Sequence, residues 1–136
     1  MTRTVLLLVC AASIAAFAFV ATSLAQTVRL VTGLVIGLPA LTLMIVSRVQ
    51  LGEAFSVKPE CKALVTTGIY SKIQHPLYFF LDLFLIGVII LLGWPILLVA
   101  WGILVLLQMR QAGKEERVLA SGFGGEYEAY RSRAWF

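Results

Sequence analysis

Two clusters of polar residues interrupt an otherwise apolar chain. The first is Ser71-Lys72-Ile73-Gln74-His75-Pro76-Leu77-Tyr78, which carries the only histidine. Pro76 suits the first position of a helix, where its missing N–H costs nothing, and His75 is then the expected cap. The free N–H groups of the first turn, with the helix dipole behind them, attract an anion such as a carboxylate. The second cluster is Lys114-Glu115-Glu116-Arg117, followed by Phe123-Gly124-Gly125-Glu126-Tyr127-Glu128-Ala129-Tyr130-Arg131. Adjacent carboxylates accept hydrogen bonds from hydroxyl or amino groups. Brought together, the clusters would hold a small ligand bearing a carboxylate, an amino group and hydroxyls. Each also has a plain reading: His75 and Tyr78 as interfacial anchors, and the tail as a solvated helix with i,i+4 charge pairs.

Asp82 lies one helical turn beyond Tyr78 and two beyond His75, so the three share roughly one face. An acid within an apolar helix is costly and usually faces a cavity or a partner. Contact with a substrate, orientation of Tyr78 and pairing with a neighbouring helix are all compatible with that position.

The elements that must position these residues are membrane helices. Of 136 residues, 60% are hydrophobic and only 13% charged, about half the charge of an ordinary soluble domain. Runs of roughly 20 apolar residues span the bilayer hydrocarbon. Thr4 to Ala25 and Val28 to Ser47 read as two spans. Leu77 to Met109 is too long for one and contains Gly93-Trp94-Pro95. Proline stops a helix and glycine permits a reversal, so this stretch reads as a second hairpin, with a kinked single helix as the alternative. The expected fold is an all-α integral membrane protein: a single domain of about four transmembrane helices in two hairpins. Residues 1–47 form two spans, 48–76 a loop, 77–109 the helical hairpin and 110–136 a helical tail. Trp94 and Trp101 are candidate interfacial anchors.

Arg48, Lys58, Lys62 and Lys72 fall in the central loop, and Arg110, Lys114, Arg117, Arg131 and Arg133 in the tail. The positive-inside rule places these segments, and with four spans both termini, in the cytoplasm; Arg29 is the exception among the short outer loops. The net charge of +4 is ordinary for loops beside anionic lipid and calls for no nucleic-acid partner. Met-Thr-Arg and the following apolar run imitate a signal peptide, but the run exceeds the usual core of about 7–15 residues, so it is read as a true span. Cys10 in a span and Cys61 in a cytoplasmic loop make an improbable disulfide. One histidine and two distant cysteines give no metal-ligand spacing. Phosphate-loop and dinucleotide glycine fingerprints are absent.

Gly68-Ile69-Tyr70-Ser71-Lys72-Ile73-Gln74-His75-Pro76-Leu77-Tyr78-Phe79-Phe80, followed about forty residues later by Glu115-Glu116-Arg117-Val118-Leu119 and by the Phe123–Arg133 segment, resembles the isoprenylcysteine carboxyl methyltransferase family and its phospholipid N-methyltransferase relatives. The resemblance covers roughly Leu64 to Arg133. It departs from the family pattern where Gln74 stands for a usual arginine, Ile69 for a frequent proline and Phe80 for a frequent glycine. The resemblance implies an S-adenosylmethionine-dependent enzyme embedded in the membrane. Its cofactor would be held by Tyr70, Gln74, His75, Pro76, Tyr78, Glu115 and Glu116, with Asp82 a candidate on the substrate side. The implied partners are membrane lipid and a lipophilic methyl acceptor, either an isoprenylcysteine-like carboxylate or a lipid headgroup. Some membrane sterol reductases share a similar helical core, so an NADPH-dependent reductase is the alternative, as is a non-catalytic protein retaining the scaffold.

Overall fold

The computed structural model describes residues 3–52 and 64–135, with the side chains of residues 3–9 excepted. Among the described residues there are four α-helices and no strand: α1 (Arg3–Leu51), α2 (Pro76–Leu92), α3 (Leu97–Phe123) and α4 (Gly125–Arg133), with a 3₁₀ turn at Gly68–Ser71 before α2. Lys58, Cys61 and Lys62 lie outside the described residues; Cys10 is free and exposed.

The largest helix–helix interface is α1 against α2. It is built on the absence of side chains: Gly33 and Gly37, four residues apart on α1, meet Gly87 of α2. A Cβ on Gly87 would lie 2.8 Å from the Cα and N of Gly37 and 2.9 Å from the Gly33 carbonyl oxygen. Close backbone approach at small residues is how helices associate where lipid removes the hydrophobic drive between them.

The reversal expected at Gly93 is present. Gly93 ends α2 in the left-handed region at φ +69°, its N–H donates to the Ile89 carbonyl, and α3 begins at Leu97. α3 then returns antiparallel and continues beyond Met109, where the sequence boundary was set, carrying Glu115 and Glu116 on the same helix down to Phe123. Gly124, at φ +53°, turns the chain into α4.

The first expected hairpin is not found. Thr4–Ala25 and Val28–Ser47 form one continuous helix with no reversal near Gln26. The residues around Gln26, from Ala18 to Val31, hold no glycine or proline. Their hydroxyls are satisfied inside the helix, with Thr22 donating to the Ala18 and Phe19 carbonyls, Ser23 to Phe19 and Thr27 to Ser23. The polar residues at the expected loop are therefore absorbed by helical carbonyls. The expectation that both termini share one face rested on that reversal and loses its support. Among the described residues one helix, counted over Cys10–Leu51, is long and apolar enough to cross a membrane, and α2 is a shorter apolar helix.

Candidate functional site

Three attachments fix the segment that delivers His75. Gln50, in the last turn of α1, accepts a hydrogen bond from the Ile69 N–H at 2.8 Å, and its side chain covers Gly68, which sits at φ +61°. From the other side, the Tyr130 hydroxyl of α4 donates to the Tyr70 carbonyl at 2.6 Å. The Trp135 N–H donates to the Lys72 carbonyl at 2.6 Å, with the Lys72 ammonium 5.7 Å from the Trp135 ring centroid. Tyr70, Tyr127 and Tyr130 are all buried. The tail thus acts as a clasp over the turn that precedes α2.

Pro76 occupies the first turn of α2, fully buried, with His75 at the cap position and no side chain capping the terminus. Because α2 and α3 run antiparallel, side chains meet in successive layers. At the end, His75 Nε2 lies 3.1 Å from Glu116 Oε1. An ionised carboxylate only accepts, so Nε2 carries the proton of that bond. His75 Nδ1 is 3.9 Å from Glu115 Oε2. One layer deeper, the Tyr78 hydroxyl donates to Glu115 Oε1 at 2.6 Å, a short charge-assisted bond. Gln111 Nε2 donates to the same oxygen at 3.3 Å. The His75 and Tyr78 rings stack with centroids 6.0 Å apart.

The Tyr70 hydroxyl completes the layer differently. It is buried and has no hydrogen-bond partner among the described residues. Burial first, then the neighbouring Tyr130 and Glu115, push its phenol up to about 12, against an opposing pull from Arg48. Burial and Tyr127 likewise push Tyr130 up to about 12. A buried donor left unpaired beside a carboxylate layer is available to a ligand.

Asp82 forms the third layer. With the Gln108 amide turned to match, its nitrogen donates to Asp82 Oδ2 at 2.7 Å and Oδ1 at 3.2 Å. The indole N–H of Trp101 is buried without a hydrogen-bond partner among the described residues, whereas Trp94 at the turn is 64% exposed.

The structure therefore joins His75, Tyr78, Glu115 and Glu116 and sets Tyr70 beside them, with Pro76 buried at the start of α2. Gln74 is half-buried next to His75 and hydrogen-bonds to none of them. Gln108 and Gln111 were missed in the sequence. They precede Glu115 by seven and four residues, on its own helical face, and that spacing was the available signal. No cluster among the described residues could hold a metal ion.

Residues 27–126, well over half of the sequence, match the family model for phospholipid methyltransferase. They take in α1 from just before Arg29, all of α2 and α3, and every residue of the three layers. Comparison with curated proteins and with solved structures finds no match. The family and the apolar α1 together point to a membrane protein. An imidazole, a tyrosine and two carboxylates meeting at an uncapped helix terminus lie wholly inside the matched segment, and the chain belongs to the phospholipid methyltransferase family, of the isoprenylcysteine carboxyl methyltransferase type.

Proposed function

We propose that this protein transfers a methyl group from S-adenosylmethionine to a lipophilic acceptor, an isoprenylcysteine-like carboxylate or a lipid headgroup, at the cytoplasmic face of a membrane. The observation that carries the reading is the meeting of His75 with Glu116 and of Tyr78 with Glu115 at the start of α2. The donor set suits this cofactor. Glu115 and Glu116 can accept from ribose hydroxyls or an ammonium group, the free amides of α2 favour a carboxylate, and the unpaired Tyr70 hydroxyl offers one further contact. When bound, the cofactor supplies an electrophilic methyl group on a sulfonium.

The chain's own residues position and shield. Tyr78 fixes the rotamer of Glu115, and the α4 clasp holds the Tyr70–Lys72 turn against the site. Positioning is where methyl transfer gains most, since nucleophile, carbon and leaving group must lie in line. The apolar walls of α2 and α3 exclude water from an acceptor entering sideways from lipid. Asp82, about 10 Å deeper than His75 at 1.5 Å rise per residue, faces the acceptor side of the site. The cytoplasmic assignment follows from the basic residues gathered at this end: Arg48, Lys72, Lys114, Arg117, Arg131 and Arg133.

Calorimetry on the protein in nanodiscs tests the assignment. S-adenosylmethionine should bind, and His75→Ala and Glu116→Ala should each weaken it about tenfold or more, as expected from losing a charge-assisted hydrogen bond of about 1.5–3 kcal/mol. Unchanged affinity in both variants would remove the site. Binding of NADPH instead would establish the reductase reading.

A further inference from the structure

At the end of α2 opposite His75, an open groove of about 580 Å³ runs between the helices. Leu24, Val28, Arg29 and Thr32 of α1 and Ile90 of α2 line it, and Arg29 is the one charged residue of the lining. The guanidinium lies against Gly93, whose missing side chain makes room for it; a Cβ there would strike Arg29 Nη1. Arg29 Nε is buried and makes no hydrogen bond among the described residues. Among the described residues no carboxylate pairs with Arg29 there either. The C-terminus of α2 favours a cation through its dipole, but a dipole does not supply the missing acceptor, and an unpaired buried N–H carries a desolvation cost.

The level of this residue identifies what supplies the acceptor. The 17 residues of α2 rise about 26 Å at 1.5 Å each, close to the hydrocarbon thickness of about 30 Å. With His75 at one interface, Arg29 stands at the other, beside the exposed Trp94. A guanidinium at headgroup level above an apolar groove open to lipid matches a phosphate with an acyl chain beneath it. We propose that this groove binds an anionic phospholipid of the leaflet opposite the candidate active site. Its phosphate takes the fork of Arg29 donors, and an acyl chain lies over Leu24, Val28 and Ile90. The proposal is independent of the methyltransferase reading, because the two sites occupy opposite ends of α2.

The test is lipid retention. The protein is reconstituted in nanodiscs of equimolar phosphatidylglycerol and phosphatidylcholine, extracted, and its bound lipid identified by native mass spectrometry. The parent should retain phosphatidylglycerol about fivefold over phosphatidylcholine, the ratio equivalent to about 1 kcal/mol for one basic residue at a lipid surface. Arg29→Gln should abolish the preference and Arg29→Lys should keep part of it. Ala25→Phe changes an exposed residue that also lines the groove, and should lower total retention with Arg29 intact. This variant, together with Arg29→Lys, decides the matter if Arg29→Gln does not fold. S-adenosylmethionine affinity should be unaltered in all three. Equal retention of both lipids by the parent, or undiminished retention in the variants, overturns the proposal. Displacement of the lipid by inorganic phosphate also overturns it, by showing a plain anion site.

Discussion

Glu115 answers to three neighbours at once: the Tyr78 hydroxyl, the Gln111 amide and the His75 ring. Removing one should therefore shift the load onto the others. Tyr78→Phe is expected to weaken S-adenosylmethionine binding severalfold with the fold intact. Combined with Glu115→Gln, its cost should be less than the sum of the two singles, since both act through one carboxylate; additive losses measured by calorimetry would separate them. Asp82 allows a sharper comparison. Asp82→Asn should lower methyl transfer far more than cofactor affinity. Asp82→Asn with Gln108→Glu restores an acid–amide pair with the acid moved to α3. Recovery of activity in that swap would make Asp82 a helix–helix tie, whereas continued loss keeps it on the acceptor side. The clasp has a pH signature. Tyr70 and Tyr130 have phenols raised from 10.0 to about 12, so the folded state favours their neutral forms. Their contribution is complete below pH 10 and is lost as the pH rises through 10 to 12. Tyrosinate absorbance should report a late-titrating class, and Tyr130→Phe should shrink it. At this scale the sequence was readable where residues were chemically loud. His75, Tyr78, Glu115 and Glu116 stand out from apolar surroundings. Gln108 did not, because an uncharged amide in an apolar run carries no sign until its partner is seen.

The helices were legible in proportion to the glycine and proline that punctuate them. Gly93-Trp94-Pro95 marked a true reversal, since a left-handed glycine with a proline, which has no N–H, two residues on cannot continue a helix. Gln26 marked nothing, because serine and threonine near it bond back to the preceding turn. Pro39 lies inside α1 without ending it, as membrane helices permit. The Gly33–Gly37 pair could have been read as a contact face, but spacing alone does not name the opposing glycine. Gly87→Ala tests that crossing. A methyl group 2.8 Å from the Gly37 backbone must push two helices apart, an overpacking cost of about 1–3 kcal/mol. Thermal melting in detergent should fall by several degrees, while Gly113→Ala, with nothing within 4 Å of its added carbon, should melt like the parent. Equal melting of the two would mean that α1 and α2 do not cross at these glycines.

For the molecule as a whole, the antiparallel return of α3 puts the two polar clusters at one end, and their sidedness is open to labelling. A cysteine at Gly122 should react with a membrane-impermeant thiol reagent only from the cytoplasmic side; reaction from outside would turn the site over. Length adds a constraint of another kind. The 49 residues of α1 rise roughly 73 Å, more than twice the hydrocarbon layer, whereas α2 falls slightly short of it. Ile14, Phe17 and Phe19 remain well exposed beyond the end of α2. The glycine crossing ties these two unequal helices together, so a tilt that buries more of α1 in lipid drags α2 with it. One protein is thereby matched to two bilayer thicknesses. The result is hydrophobic mismatch, relieved by tilt, by local deformation of the bilayer or by choice of membrane. Melting temperature in vesicles of increasing acyl length should pass through a maximum, and through that shared tilt the membrane's own thickness becomes a regulator of how firmly the site is held.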